Sequence, residues 1–506
     1  MALLHYYSIK NKFMKLLILL SFLILSSNVN SQDLKDYYYE NKSSNLSNDS
    51  VLKEGSDVIL TRDEEILNQK LLRLQKEFIN ASGKEFPPSH YFYRYRNMID
   101  TSESYQLLKK MPKGAMLHIH SSAMGPIHWL INTASYYPNC YMYTLNDNDK
   151  IPYGTLYFYK PGTEPDGWVA LEKLRKDNPD FDRQLHSLLT FDIMDDRNPF
   201  IWSEFEKIFT RHGGLVQYYP VFVQYIKNSF DTLIADGMQH IEIRTSLGGV
   251  YDIDGKNYSK QEVLNIYNAV ADTIRMTDPQ FSFKIIYAGW RGGTRDYVMS
   301  SLNQAIDLRS DNPDKLVGFD LVGEEDLGHT TEYFKDEFFK ADSIALERGT
   351  NIPFYFHDGE STIPSDLNLY DAVALRTKRI GHGVNLFRFP SLQKNIKEKG
   401  ISLEVCPLSN QILGYVENLR MHPASEYINK GIPITISTDD PQIFDYNGMT
   451  YDFWSIFMAW ELDLRQLKKL VLNSIEYSAM SEEEKTNAYN YLNQKWSEWV
   501  IQSINN

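Results

Sequence analysis

Four short stretches carry side chains suited to chemistry at one point. His118-Ile119-His120 ends an apolar run, and neighbouring strand side chains point to opposite faces, so the two imidazoles share one face. His357 ends another run, in Phe356-His357-Asp358-Gly359-Glu360. His382 stands between Gly381 and Gly383, which let a ligand approach the backbone closely. Asp439-Asp440-Pro441 follows Ile434-Thr-Ile-Ser-Thr438. An HxH pair alone is weak, because one core His and one hydrogen-bonded His give the same pattern. Three His and a carboxylate from separate strand ends suit a divalent ion such as zinc, with a position left open for water. The ion lowers the pKa of that water toward neutrality.

Such residues need a frame that brings strand ends together. Eight short apolar runs fall at 115–120, 240–247, 283–291, 316–323, 352–357, 379–386, 402–409 and 432–439, with helical stretches such as 261–276, 336–348 and 424–430 between them. Eight βα units predict an α/β fold, a (β/α)8 TIM barrel over 113–500, with its site at the C-terminal ends of the strands. The interval after the first run is too long for one crossover. Its first part, about 125–185, is rich in Tyr, Pro, Gly and Asp and reads as an inserted subdomain. Before the barrel, Thr61-Arg-Asp-Glu64 is a capping box, and Leu67, Leu71, Leu74 and Phe78 follow at helical spacing. Residues 59–112 therefore read as an N-terminal helical extension and a candidate dimerisation arm. Residues 32–58 are Asn-, Ser- and Asp-rich without periodicity and read as a flexible leader.

Residues 1–31 read as a secretory signal peptide. Lys10, Lys12 and Lys15 precede the apolar run 16–25, and small residues follow at 29 and 31. That run is well short of the ~20 residues a spanning helix needs, so the reading is a cleaved signal without a stable membrane anchor. The expected location is extracellular, or periplasmic in a Gram-negative host. The 506 residues include 52 Lys+Arg and 66 Asp+Glu, a net charge of −14 that argues against binding nucleic-acid polymers. Cys140 and Cys406 are the only cysteines, too few for a Cys-rich zinc module, so a metal site must use His and carboxylates. Cys406, in the middle of the seventh run, reads as a buried small hydrophobe.

With these motifs assembled, the chain resembles the adenosine deaminases, most closely their secreted branch, the adenosine deaminase-related growth factors. Met111-Pro-Lys-Gly-Ala-Met-Leu-His-Ile-His120, Phe-His357-Asp-Gly-Glu360, Arg-Ile-Gly-His382-Gly, Glu404-Val-Cys-Pro-Leu-Ser-Asn-Gln411 and Ser437-Thr-Asp-Asp-Pro441 carry the likeness. It runs from about 60 to 500 and includes Ile201-Trp-Ser-Glu-Phe205, Glu242-Ile-Arg244 and Gly318-Phe-Asp-Leu-Val-Gly323. The resemblance implies one Zn2+ held by His118, His120, His357 and Asp439. It implies that Glu360 protonates purine N1, that His382 orients the nucleophile, that Asp440 bonds N7 and that the backbone of Gly323 meets N3. Adenosine or 2′-deoxyadenosine would become inosine or 2′-deoxyinosine with release of ammonia, in a homodimer. Ser121 stands where the family typically has an Asp that contacts the sugar, so Ser121 is a candidate substrate contact, and Trp202 a candidate stacking partner. Asp358 replaces a usual small residue. Alternatives are a related hydrolase acting on another aminopurine or modified nucleoside, and a weakly active growth-factor-like protein that binds a receptor or glycan through the insertion.

Overall fold

The computed structural model describes residues 31–147, 151–191 and 201–505, so the signal-peptide reading falls outside it. Eight parallel strands form the centre: β1 (Gly114–His120), β2 (Met238–Thr245), β3 (Ser282–Trp290), β4 (Leu316–Val322), β5 (His357–Asp358), β6 (Arg379–His382), β7 (Ser402–Val405) and β8 (Ile434–Ile436). They pair in chain order as two four-stranded sheets. Isolated bridges between Phe319 and Phe354 and between Ile119 and Asp439 join the two sheets into a closed α/β TIM barrel.

The strands are mostly buried on both faces, as parallel strands under a ring of helices must be. Several are shorter than their apolar runs; of 432–439, only Ile434–Ile436 is strand. Pro353 has no N–H to donate, so the run 352–357 pairs only at Phe354 before β5 begins. The run 379–386 turns into a 3-10 helix at Val384, and 402–409 turns into the helix Pro407–Ile412. Cys406 thus lies just beyond β7 rather than within it, and it is fully buried.

The insertion after β1 contains the helix Ile127–Asn132, a small antiparallel sheet (Cys140–Tyr143 between Leu156–Phe158 and Trp168–Ala170) and the helices Leu171–Asp177 and Phe181–Leu189. The helices Ile201–Gln217 and Tyr219–Ala235 then lead back to β2.

The N-terminal region departs from its sequence reading. Residues Ser31–Leu52 form an almost wholly exposed helix instead of an irregular leader. No Gly or Pro interrupts the chain before Gly55, so helix remains open to it despite the Asn and Ser. The segment that follows is anchored: the Glu54 N–H donates to Ile428 O at 2.8 Å, and Lys469 pairs with Asp57 at 2.8 Å. Thr61 and Glu64 form the capping box of the helix Arg62–Ser82. Leu67 and Leu71 on that helix are fully buried, and Glu64 pairs with Lys468 at 2.6 Å while accepting from Trp496 Nε1 at 2.7 Å. The apolar face of this arm is therefore covered by its own barrel.

Candidate active site

A cavity of about 490 Å3 opens at the C-terminal ends of the strands. A second cavity, of about 280 Å3, lies by Gly114 and Met238 at the opposite end and contains no histidine. Around the first, His118 and His120 end β1, His357 opens β5 and Asp439 follows β8; one donor atom from each lies within 4.8 Å of the others. Asp439 Oδ1 is 3.2 Å from His118 Nε2 and 3.1 Å from His120 Nε2. His118 Nε2, His357 Nε2 and Asp439 Oδ1 are buried without a hydrogen-bond partner. An unpaired buried polar atom costs about 1–3 kcal/mol, so three that converge fit a cation able to satisfy them all.

The backbone is bent to make this point. His382 and Asp439 have φ of 65° and 66°, in the left-handed region that non-glycine residues avoid at a cost of about 1–3 kcal/mol. Gly381 leaves room for an imidazole, since a Cβ there would lie 3.1 Å from His118 Cε1.

Beneath the histidines is a buried charge lattice. His118 Nδ1 is 2.9 Å from Glu404 Oε2, and His357 Nδ1 is 2.7 Å from Asp320 Oδ2. Arg244 donates to both carboxylates, and Arg379 bridges Glu404 and Glu242 at 2.6 Å each. These contacts leave both Nε2 atoms to face the common point, an outer-sphere arrangement typical of metal-ligating imidazoles. Burial opposes ionisation of Asp320 and Glu404, yet their cationic neighbours hold both well below the usual carboxylate range. Burial pushes the His357 imidazole down to about 3, which keeps it neutral.

Glu360 lies 3.5 Å from His382 Nδ1, and its Oε1 is buried without a partner. Burial first, and then the charges of Asp439 and Glu325, raise its pKa well above the usual value. Glu325 also fixes the turn that carries it: the Gly359 N–H donates to Oε1 at 2.9 Å and the Glu360 N–H to Oε2 at 2.6 Å. A hydrogen-bond chain settles which face His382 presents. The Ala424 N–H donates to His422 Nδ1 at 3.1 Å, so His422 Nε2–H donates to Asn410 Oδ1 at 3.2 Å. The Asn410 amide then donates to His382 Nδ1 at 3.1 Å, and His382 is left with an Nε2–H. That Nε2 has no other hydrogen-bond partner and lies 3.9 Å from Asp439 Oδ2.

The remaining candidates surround the cavity. Asp440 is buried with Oδ1 unpaired, and burial together with the Asp439 charge raises its pKa well above the usual value. Gly323, at φ 111°, Ser121 and Trp202 all line the wall, and Trp202 Nε1 donates to Tyr415 Oη at 2.8 Å. Asp358 turns away from the cavity, to Arg291 at 2.9 Å and Thr331 Oγ1 at 2.7 Å. Glu325, Asn410, His422 and the inward roles of Arg244 and Asp320 escape sequence reasoning. One signal for the strand residues is available there: a charged side chain inside an apolar strand must be paired.

Comparison with known proteins shows the family. The adenosine deaminase family model matches residues 193–495. Adenosine deaminase 2 of Dictyostelium discoideum is 34% identical over 487 residues, covering 94% of this chain and 90% of the relative. The chain belongs to the adenosine deaminase family. Adenosine deaminase 2 of Sus scrofa is 36% identical, covering 90% and 92% of the two chains. Among solved structures, the Arabidopsis ADAL protein complexed with GMP shares the fold, with a TM-score of 0.57 at 15% identity over 78% of this chain and 99% of that one.

Proposed function

We propose that this adenosine deaminase-family chain is an exported, zinc-dependent enzyme that hydrolyses adenosine and 2′-deoxyadenosine to inosine or 2′-deoxyinosine and ammonia. The observation that carries the reading is Glu360, a buried carboxyl whose pKa burial pushes well above the usual range, beside a His/Asp donor set at a nucleoside-sized cavity. The names of the relatives support the same substrate.

His118, His120, His357 and Asp439 would hold the ion, which supplies the Lewis acidity that brings the pKa of water toward neutrality. Glu360 gives its proton to purine N1 and so withdraws electron density from C6. His382 directs its Nε2–H at the attacking oxygen and stabilises the charge developing there. Asp440, protonated in its buried setting, donates to N7, and the Gly323 backbone meets N3. Water adds at C6; one of its protons passes to the amino group, which leaves as ammonia, the other returns to Glu360, and the product keeps the proton on N1. Ser121 offers a hydroxyl to the sugar in place of a carboxylate, and Trp202 closes the rim over the nucleoside. That exchange at Ser121 favours tolerance of altered sugars, as in a hydrolase of modified nucleosides.

No helix among the described residues is long and apolar enough to cross a membrane. A homodimer would use the exposed helix Ser31–Leu52 and the insertion, because the arm Arg62–Ser82 is already packed on its own barrel. The test is kcat/KM over a panel of adenosine, 2′-deoxyadenosine, AMP, adenine and N6-methyladenosine. Adenosine and 2′-deoxyadenosine should lead the panel; preference for a methylated or phosphorylated substrate would overturn the assignment.

A further inference from the structure

A second set of metal-type donors stands outside the catalytic cavity. His128 comes from the helix Ile127–Asn132, His186 from Phe181–Leu189 and Asp445 from the loop after β8. One donor atom of each lies within 4.8 Å of the others. His186 Nε2 is 3.1 Å and His128 Nε2 3.9 Å from the same oxygen, Asp445 Oδ1. The two rings stack 5.6 Å apart at 16°, so both present Nε2 to one point.

The surroundings of His186 and Asp445 suit a cation there. The Thr190 hydroxyl donates to His186 O at 2.8 Å, so at 3.5 Å from His186 Nδ1 its oxygen is free only to accept. His186 Nε2 meets Asp445 Oδ1 at 3.1 Å, a contact bridged by a proton in the bare protein and open to a cation that takes its place. Arg96 Nη1 holds the other carboxylate oxygen of Asp445 at 2.9 Å, which fixes the direction in which Oδ1 points. His128 is exposed, which leaves room for water to complete a tetrahedron.

We propose that His128, His186 and Asp445 form a second divalent transition-metal site, of the two-His, one-carboxylate kind that takes zinc. The ion ties the insertion to the β8 loop five residues beyond Asp440. Phe444 in that loop stacks on Phe205 at 5.8 Å and 8°, and Phe205 lines the catalytic cavity. Occupancy therefore steadies one wall of the cavity without contributing a reacting group.

The test is to dialyse metal-free full-length protein against buffered Zn2+ and count bound zinc in the wild type, His128→Ala and His186→Asn. The expected result is one equivalent fewer in each variant than in wild type, whatever the catalytic set contributes. His357→Ala should separately lose the catalytic equivalent and keep this one. Thermal unfolding checks that the variants fold: added Zn2+ should raise Tm further in His357→Ala than in His357→Ala/His128→Ala. Equal zinc counts in wild type and the His128→Ala and His186→Asn variants would overturn the proposal.

Discussion

Burial and the neighbouring charges of Asp439 and Glu325 push the Glu360 carboxyl well above the usual carboxylate range, and its Oε1 has no hydrogen-bond partner in the protein. That setting suits the proton donor proposed above. Glu360→Gln keeps the shape and removes the proton. It should bind zinc as wild type does and lose ~10²–10⁴-fold in kcat, the usual share of a positioned acid. Metal analysis beside steady-state rates checks this, and a fully active variant would refute the role. His422 acts at one remove, through Asn410, by fixing the tautomer of His382. His422→Leu frees the Asn410 amide to flip, so kcat should fall by about 10–100-fold, as for other outer-sphere partners, with KM and zinc content unchanged. A loss of zinc in that variant would mean that His422 supports the fold and not the orientation.

The strands deliver these groups as a set because charged residues interlock beneath them. Glu404 on β7 receives His118, Arg244 and Arg379, which come from β1, β2 and β6. Glu404→Gln should weaken zinc about 10–100-fold, measured by competition with a chelator, because His118 loses the partner that turns Nε2 toward the ion. Unchanged affinity would show that the lattice serves stability alone. The barrel and the convergence of His118, His120, His357 and Asp439 were legible in the chain because each lies at or next to the C-terminal end of an apolar run. Less legible were contacts between groups far apart in sequence, such as Ala424–His422–Asn410–His382, since nothing local marks which buried polar residues meet. The exposed helix Ser31–Leu52 was missed for a different reason: it buries no apolar face, so it leaves no periodic trace.

The whole molecule carries part of its stability in that buried lattice. Burial opposes the charge of Glu242, but Arg379 and His240 outweigh it and hold its pKa at about 2, against 4.5 unperturbed. Arg379, His240 and Tyr355 are the ionisable groups around it, and the Ala479 N–H also donates to its carboxylate. A depressed carboxylate stabilises the fold above its unfolded pKa, and that contribution is lost as pH falls from about 4.5 to about 2. Stability should decline through that window, by a few kcal/mol for this group on the scale of about 1.4 kcal/mol per unit. In Glu242→Gln, denaturant unfolding followed from neutral to acid pH should start less stable and fall less steeply; an unchanged slope would assign the acid limb to other groups.

The central claim is that one His/Asp metal set and one protonated carboxyl make this chain an adenosine deaminase. The most direct measurement follows adenosine absorbance with purified protein as isolated, after chelation, and after zinc is restored. Steady conversion to inosine that chelation abolishes and zinc returns is the predicted result. Zinc-loaded, folded protein that leaves adenosine unchanged, or turnover that survives complete removal of metal, would contradict it.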